Sequence, residues 1–244
     1  MFFFNENSWV AGAIIFILRY FLMAGIAYFI FYIWKKKKLS HLKIQQNFPR
    51  TRQLRNDIFY SFLTVLIYSG TAGIVLYWYK KGLTKIYLDV NDYGVFYLAC
   101  SILLMIFLHD TYFYWTHKLM HTCKCLYKFH KIHHQSNNPT PWAAFAFHPV
   151  EALISLGIIP LIIFIMPTHP LALMVFLTLM TFYNIVVHLG YELFGKKFTN
   201  HLIGKWQNTT TNHDLHHQIG GRFNLGFYFS IWDRIMGTYK ETEN

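Results

Sequence analysis

Long apolar runs limit the folds open to this chain more than any other feature of its sequence. A helix needs about 20 apolar residues to cross a bilayer, and inside the bilayer only helices and closed barrels satisfy every backbone polar group. Because strand signals are weak, we predict an all-α integral membrane bundle with four to five transmembrane helices. The predicted spans run from about Trp9 to Trp34, Ile58 to Tyr79, Tyr93 to His117, Val150 to Met166 and Leu171 to Leu193.

Composition and charge agree with a multi-pass membrane protein. Of the 244 residues, 54% are apolar and 14% are charged, against roughly a quarter charged in soluble domains. The net charge of +11 does not indicate a nucleic-acid partner, because many basic residues directly follow the first span, between Lys35 and Arg55. If that loop is cytosolic, residues 35–56, 116–147 and 194–244 share its side and hold 18 of the 22 basic residues, as the positive-inside rule requires.

Arg19 interrupts the first span. An arginine inside a span is expected to snorkel toward an interface or to face other helices. We assign it no function from the sequence.

The membrane itself is predicted to be a bacterial inner membrane or the endoplasmic reticulum.

Nine histidines recur at spacings that hydrophobic packing does not require. On a helix, positions i, i+3 and i+4 lie on one face, and imidazole is a suitable ligand for iron, zinc, copper and nickel. The topology places all of these histidines at or just below the cytosolic interface, so we predict that they converge on a polynuclear metal centre. The groups are His117-x3-His121, His130-x2-His133-His134, His188, and His213-x2-His216-His217.

Several polar residues share a helix face with these histidines or flank them. A metal-bound histidine usually donates its second ring N–H to such a group. Asp110 and Tyr114 precede His117 on one face, and Glu192 stands one turn after His188 as either a carboxylate ligand or an acceptor. The predicted hydrogen-bond partners are Asp110, Asn184, Glu192, Asn212 and Asp214.

Two further histidines are weaker candidates. His109 lies about 80° around the helix from His117, so it can ligate only if that helix bends. His148 precedes a proline and Glu151, a pattern typical of a helix start, so it is either a cap or a neighbour of the site. Three aromatic residues follow the second histidine group and are interpreted either as walls of an apolar tunnel or as ordinary interface aromatics. They are Trp142, Phe145 and Phe147.

The chain resembles the fatty acid hydroxylase/sterol desaturase superfamily over roughly residues 105 to 240. The motifs that carry the resemblance are the four histidine groups, Asp110-x3-Tyr114-Trp115, Asn224-Leu-Gly and Trp232-Asp-Arg-Ile-Met-Gly-Thr238. Some members have an additional histidine where this chain has Glu192. On this basis residues 1–92 are N-terminal transmembrane helices with a basic cytosolic loop, and residues 93–244 are the catalytic region of one integrated domain.

The resemblance implies a membrane-bound, non-haem di-iron oxygenase. It would use O2 as co-substrate, with two electrons from an external donor, to hydroxylate or desaturate a sterol, a fatty acyl chain or a related lipid. The donor would be a ferredoxin or a cytochrome-type protein with its reductase, and zinc is possible in purified protein. The metal ligands that it implies are His117, His121, His130, His133, His134, His188, His213, His216 and His217.

Two other classes of membrane protein also combine histidines with spans. A polytopic metal-ion transporter needs ligands along a path through the bilayer, whereas the outer halves of these spans are nearly devoid of ligand residues. A membrane cytochrome needs single histidines facing each other on two spans. The transporter, or a metal-binding membrane protein, remains the alternative to the oxygenase.

Overall fold

A computed structural model describes residues 8–241 and confirms the all-helical class. Within that range no β-strand forms, and extended pairing is limited to isolated bridges. The division of the chain into residues 1–92 and 93–244 stays a prediction. Residues 1–7 of the first part and 242–244 of the second lie outside the described range. The helices are α1 (Ser8–Tyr28), α2 (Thr51–Lys80), α3 (Gly94–Thr122), α4 (Lys124–His130), α5 (Pro149–Leu156), α6 (Ile158–Ile165), α7 (Pro170–Val187), α8 (Lys196–Thr199), α9 (Thr210–Gln218) and α10 (Ile231–Ile235).

Four helical stretches are long and apolar enough to cross a membrane. They are Val10–Trp34, in which α1 continues through π-helical turns, together with α2, α3 and α7. Only 11% to 44% of the residues in their most apolar windows are buried. Most of these side chains therefore face outward, where lipid tails would cover them, as expected for a multi-pass membrane protein.

The apolar run predicted as the fourth span is not one continuous helix. It divides at Gly157 into α5 and α6, where Pro160 has no N–H to donate to the Leu156 carbonyl one turn earlier. The Tyr112 side chain packs against this glycine so closely that a Cβ there would overlap its hydroxyl. The same hydroxyl donates to Ile154 O at 2.6 Å. Together α5 and α6 cover Pro149–Ile165, which is shorter than the four candidate spans.

Loop contacts show which segments meet at each end of the bundle. At one end, Lys85 N donates to Ile163 O at 2.8 Å and Thr168 N donates to Lys85 O at 3.0 Å. At the other end, Ile44 N donates to Gly190 O at 3.1 Å and Gln45 Nε2 donates to Asn137 O at 2.8 Å. The loops after α1, α3 and α7 thus share one end, as the topology predicts.

Residues 140–147, between the second histidine group and α5, are held against the first two spans. Tyr20 Oη donates to Ser61 Oγ at 2.9 Å, and Ser61 Oγ donates to Trp142 O at 2.7 Å. The Phe145 ring stacks on Tyr20 with centroids 4.8 Å apart. One hydrophobic core therefore joins α1 and α2 to the segment that follows the histidines.

Candidate metal centre

Helix α3 carries its two histidines beyond the hydrophobic thickness of a bilayer. Its 29 residues span about 43 Å at 1.5 Å per residue, against about 30 Å for the hydrocarbon core. His117 and His121 are on its last two turns. The helix thus delivers them to the end of the bundle where the loops after α1, α3 and α7 meet.

Five histidines form the first group of converging nitrogens, called cluster 1. Their ligand atoms lie within 4.8 Å of one another. His130 Nε2 is 3.1 Å from His117 Nε2 and 3.0 Å from His121 Nε2. The members of cluster 1 are His117, His121, His130, His134 and His216.

The other four histidines of the motif form cluster 2, directly beside the first. His188 Nε2 lies 2.9 Å from His213 Nε2 and 3.4 Å from His133 Nε2. The His134 and His217 rings, one from each cluster, have centroids 4.8 Å apart. The members of cluster 2 are His133, His188, His213 and His217.

Hydrogen bonds on the outer ring nitrogens determine which nitrogen of each imidazole carries the proton. His117 Nδ1 donates to Leu225 O, and His216 Nδ1 donates to Phe223 O, both at 2.8 Å. A carbonyl oxygen only accepts, so Nδ1 is the protonated atom. In a neutral ring Nε2 then keeps its lone pair and points into the cluster.

Two such lone pairs face each other within cluster 1. An ionised Glu151 can only accept, so its Oε1, 2.7 Å from His130 Nδ1, takes a hydrogen bond from that nitrogen. In neutral His130 the inward Nε2 is then unprotonated, like that of His117. These two acceptors are 3.1 Å apart, and His216 Nε2 is buried with no hydrogen-bond partner among the described residues. A cation between the nitrogens removes this repulsion, so the donor set fits a metal ion.

The spacing and charge state of the clusters also fit a metal. With metal–nitrogen bonds of about 2.1 Å, neighbouring ligands stand about 3.0 Å apart at right angles and about 3.4 Å apart at a tetrahedral angle. Burial, reinforced by neighbouring imidazoles, lowers the pKa well below the ordinary histidine value in both clusters, so these rings are neutral near pH 7. The affected residues outside the spans include His133, His134, His213, His216 and His217.

Glu151 is a functional candidate that the sequence analysis missed. We interpreted it as a charge in the first turn of a helix, and it does lie in the first turn of α5. Its Oε1 is the hydrogen-bond partner of His130 Nδ1, while Oε2 is buried without a partner among the described residues. A carboxylate in this position fixes the tautomer of a histidine and strengthens it as a ligand.

We expect Glu151→Gln to weaken metal binding at cluster 1 about ten- to hundredfold. The amide oxygen still accepts from His130 Nδ1, but the negative charge is lost. Cluster 2 does not include a partner of Glu151 and should keep its affinity. Chelator competition on purified protein measures both sites, with Glu241→Gln at an exposed position as control. Unchanged affinity at cluster 1 would show that the carboxylate gives the metal no support.

The predicted partner role of Asp110 is corrected by the structure. Its Oδ1 accepts the backbone N–H groups of Tyr228 and Phe229, at 2.7 and 3.2 Å, and not a histidine proton. Asp233 accepts from Leu225 N at 2.8 Å in the same loop. These two buried carboxylates hold the loop whose Leu225 carbonyl orients His117, so Asp110 acts on the site through the backbone.

Glu192 is neither in a cluster nor bonded to a histidine. Its Oε2 accepts from Thr211 N at 2.9 Å and from Thr211 Oγ1 at 2.5 Å. Thr211 is in the first turn of α9, where free N–H groups favour a carboxylate. Glu192 therefore stabilises the start of the helix that carries His213, His216 and His217.

The other three predicted partners also bond elsewhere. Asn184 Nδ2 donates to Ala144 O at 2.5 Å, although the Asn184 backbone carbonyl does accept from His188 Nδ1 at 2.8 Å. Asp214 accepts from Gln45 Nε2 at 2.8 Å, which ties α9 to the loop after α1. The side chain of Asn212 bonds with Tyr239.

The two weaker histidine candidates lie outside both clusters. Nδ1 of His109 is 3.2 Å from Tyr228 Oη. His148 Nδ1 accepts from Val150 N at 3.1 Å and caps α5, which is the helix-start role that its sequence context indicates. Of the three proposed tunnel walls, Phe145 and Phe147 line an apolar cavity, whereas Trp142 packs against Phe21 and Tyr28.

Comparison with known proteins gives a consistent result. The family model for fatty acid hydroxylase matches residues 102–238. Lathosterol oxidase of Homo sapiens is 27% identical over 226 residues, or 91% of this chain and 71% of that protein. The Delta(7)-sterol 5(6)-desaturase of Gibberella zeae is 27% identical over 222 residues, or 91% and 64%. That of Saccharomyces cerevisiae is 26% identical over 246 residues, or 98% and 61%. No solved structure matches the chain.

Fold and site together define a class: a multi-pass helical membrane protein with two adjoining clusters of imidazoles, eight of the nine buried, at one end of its bundle. Because the family match covers more than half of its length, the chain belongs to the fatty acid hydroxylase family. It is accordingly a membrane-bound oxidoreductase that acts on lipids.

Proposed function

We propose that the chain holds one iron ion in each histidine cluster and uses O2 to hydroxylate or desaturate a membrane lipid. The observation that carries this proposal is the convergence of nine imidazoles into two adjoining clusters with inward lone pairs. The proposed ligands are the five histidines of cluster 1 and the four of cluster 2. Zinc fits the same nitrogens and is possible in purified protein, but it has no redox chemistry.

When bound, the two iron ions supply the redox chemistry that couples O2, two external electrons and removal of hydrogen from a lipid carbon. The protein orients the imidazoles through the Leu225, Phe223 and Asn184 carbonyls and through Glu151. Eight of the nine imidazole side chains are buried, which keeps water away from the reacting groups.

An apolar cavity supports a lipid as the substrate. Its volume is about 280 Å³, and most of its lining comes from the membrane-spanning part of the bundle. Two of its lining residues pack on the clusters: the Phe113 ring lies 5.0 Å from that of His117, and the Phe147 ring 5.0 Å from that of His133. Only one aromatic ring, that of Phe113 or Phe147, separates one end of a lipid in this cavity from the histidines. The sterol enzymes among the relatives make a sterol one candidate beside acyl lipids.

We further propose that the cluster end of the bundle faces the cytosol and receives electrons from a separate donor, a ferredoxin or a cytochrome-type protein with its reductase. The segments at this end carry 18 of the 22 basic residues, which favours the cytosolic side. A transporter is less compatible with this arrangement, since it needs ligands along the transport path.

Lipid mass spectrometry of cells with and without the chain tests the function. We expect one lipid class to gain one oxygen or to lose two hydrogens when the intact chain is present. Cells that make a variant lacking a cluster histidine at the same membrane level are the control, and should match cells without the chain. If no lipid changes although the chain is present with bound iron and a competent donor, the proposal is wrong.

A further inference from the structure

The apolar cavity is elongated along the bundle. One end reaches Asn184 and Phe147 beside the histidine clusters, and along α7 its wall extends back to Pro170. Fourteen residues of helix separate Pro170 from Asn184, which corresponds to about 21 Å. This length suits an extended hydrocarbon chain.

One charged side chain, Arg19 of α1, lines this otherwise mainly apolar cavity. Its Nη1 donates to Thr178 Oγ1 on α7 at 3.1 Å, and its Cζ lies 4.7 Å from the centre of the Phe16 ring. Of the two roles that the sequence left open for Arg19, contact with another helix is the one observed. These contacts hold the guanidinium in the cavity wall.

Two N–H groups of Arg19 have no acceptor. Nε and Nη2 are buried and lack a hydrogen-bond partner anywhere within residues 8–241. Unpaired buried donors on a charged group are strongly unfavourable. A ligand oxygen in the cavity would satisfy them.

Lipid headgroups of the surrounding bilayer do not meet this need. Arg19 is nine residues after the start of its span at Val10 and fifteen before its end at Trp34, or about 13 and 22 Å along the helix. This places it near the middle of a hydrocarbon core about 30 Å thick. Its bond to Thr178 keeps it there.

We propose that Arg19 binds the polar group of the lipid substrate, an oxygen acceptor such as a carboxylate or an ester carbonyl. The inference rests on the proposed function for the use of this cavity as the substrate site. A carboxylate fits best, because Nε–H and Nη2–H lie parallel along one edge of the guanidinium and match two oxygens. Its negative charge also neutralises the cation in an apolar environment.

The position of Arg19 sets which carbon of the substrate is oxidised. Thr178, its partner, precedes His188 of cluster 2 by ten residues, or about 15 Å of helix. An extended chain advances about 3.3–3.6 Å over three bonds. The oxidised carbon therefore lies roughly a dozen bonds from the polar group, and the polar end of the lipid points away from the histidines.

Ligand binding to the purified full chain tests this inference with palmitate, methyl palmitate and hexadecane as probes. The wild type should bind palmitate about ten- to a hundredfold more tightly than hexadecane. In Arg19→Met this preference should disappear while hexadecane binding is unchanged, because methionine occupies the space without donors. Arg52→Met, at an exposed position on α2, is the matched control and should bind like the wild type.

Methyl palmitate distinguishes the two sources of the acceptor. If palmitate binds more tightly than hexadecane but methyl palmitate does not, the acceptor is the carboxylate of a free acid. If palmitate and methyl palmitate both bind more tightly than hexadecane, and equally so, the acceptor is an ester carbonyl. Equal binding of palmitate and hexadecane by the wild type, or a preserved palmitate preference in Arg19→Met, would overturn the proposal. If Arg19→Met also weakens hexadecane binding, Arg19→Lys provides the test. An ammonium group cannot bridge two carboxylate oxygens as a guanidinium does, so in Arg19→Lys the preference for palmitate over hexadecane must fall. Binding needs no iron, so failure of the proposed oxidation leaves this result interpretable.

Discussion

His216→Ala is expected to reduce bound metal from two ions to one per chain and to abolish lipid oxidation. His216 belongs to cluster 1, where its buried Nε2 has no partner among the described residues. Loss of a ligand should lower metal affinity by more than the ten- to hundredfold that is typical when a hydrogen-bond partner of a ligand is removed. His133→Ala should do the same at cluster 2. Metal content and product formation, measured on each purified variant, check the prediction.

The control for both variants is His41→Ala, an exposed histidine on the same end of the bundle. It should keep two metal ions and full turnover. Amounts of membrane-inserted protein should be equal in all three variants, since none of these histidines lies in the lipid-facing surface. Retained turnover in either cluster variant would contradict the assignment of that cluster.

Gly221→Ala is expected to empty cluster 1 without any change to a ligand. Gly221 has φ of +77°, and a Cβ at this position would overlap the His121 imidazole. Because the obstacle is the ring itself, His121 must leave its place for the alanine to fit. We expect cluster 1 to lose its metal and oxidation to fall by about a hundredfold or more.

The neighbouring glycine supplies a matched control for this substitution. Gly220 also has φ of +77°, but a Cβ there meets nothing within 4 Å. Gly220→Ala therefore carries the same backbone strain, about 1–2 kcal/mol, without displacing a histidine. It should lower the unfolding temperature slightly and keep two metal ions. If Gly221→Ala behaves identically to Gly220→Ala, the close packing against His121 does not matter for the site.

The spans and the histidine groups were accessible to sequence reasoning because each depends on a local pattern. Apolar length predicts a span, and i, i+3 and i+4 spacing predicts a shared face. The assignment of histidines to clusters was not accessible. His133 and His134 are consecutive but belong to different clusters, since successive residues on a helical turn point about 100° apart. That all nine bind metal stays a prediction.

The groups that orient the histidines were mostly missed, for a physical reason. Leu225, Phe223 and Asn184 contribute backbone carbonyls, which any residue possesses and no side-chain pattern marks. Glu151 carried a signal, but its place in a first helical turn offered a sufficient local explanation. The polar side chains that the sequence pattern favoured instead, such as Asp110, stabilise the loops and helix starts around the site.

The break at Gly157 was only partly accessible from the sequence. Hydropathy over residues 150–166 predicts a single span, although Gly157 and Pro160 within that run both disfavour a continuous helix. The close packing of Tyr112 against Gly157 comes from a residue about 45 positions earlier in the chain. Such contacts depend on the tertiary arrangement of α3 and α5.

The number of non-haem iron ions bound by active, purified protein tests the central claim most directly. Each cluster should hold one ion, so we expect two per chain, with loss of one in His216→Ala and of the other in His133→Ala. Protein that oxidises its lipid while containing a single iron ion, haem iron or no iron would contradict the account.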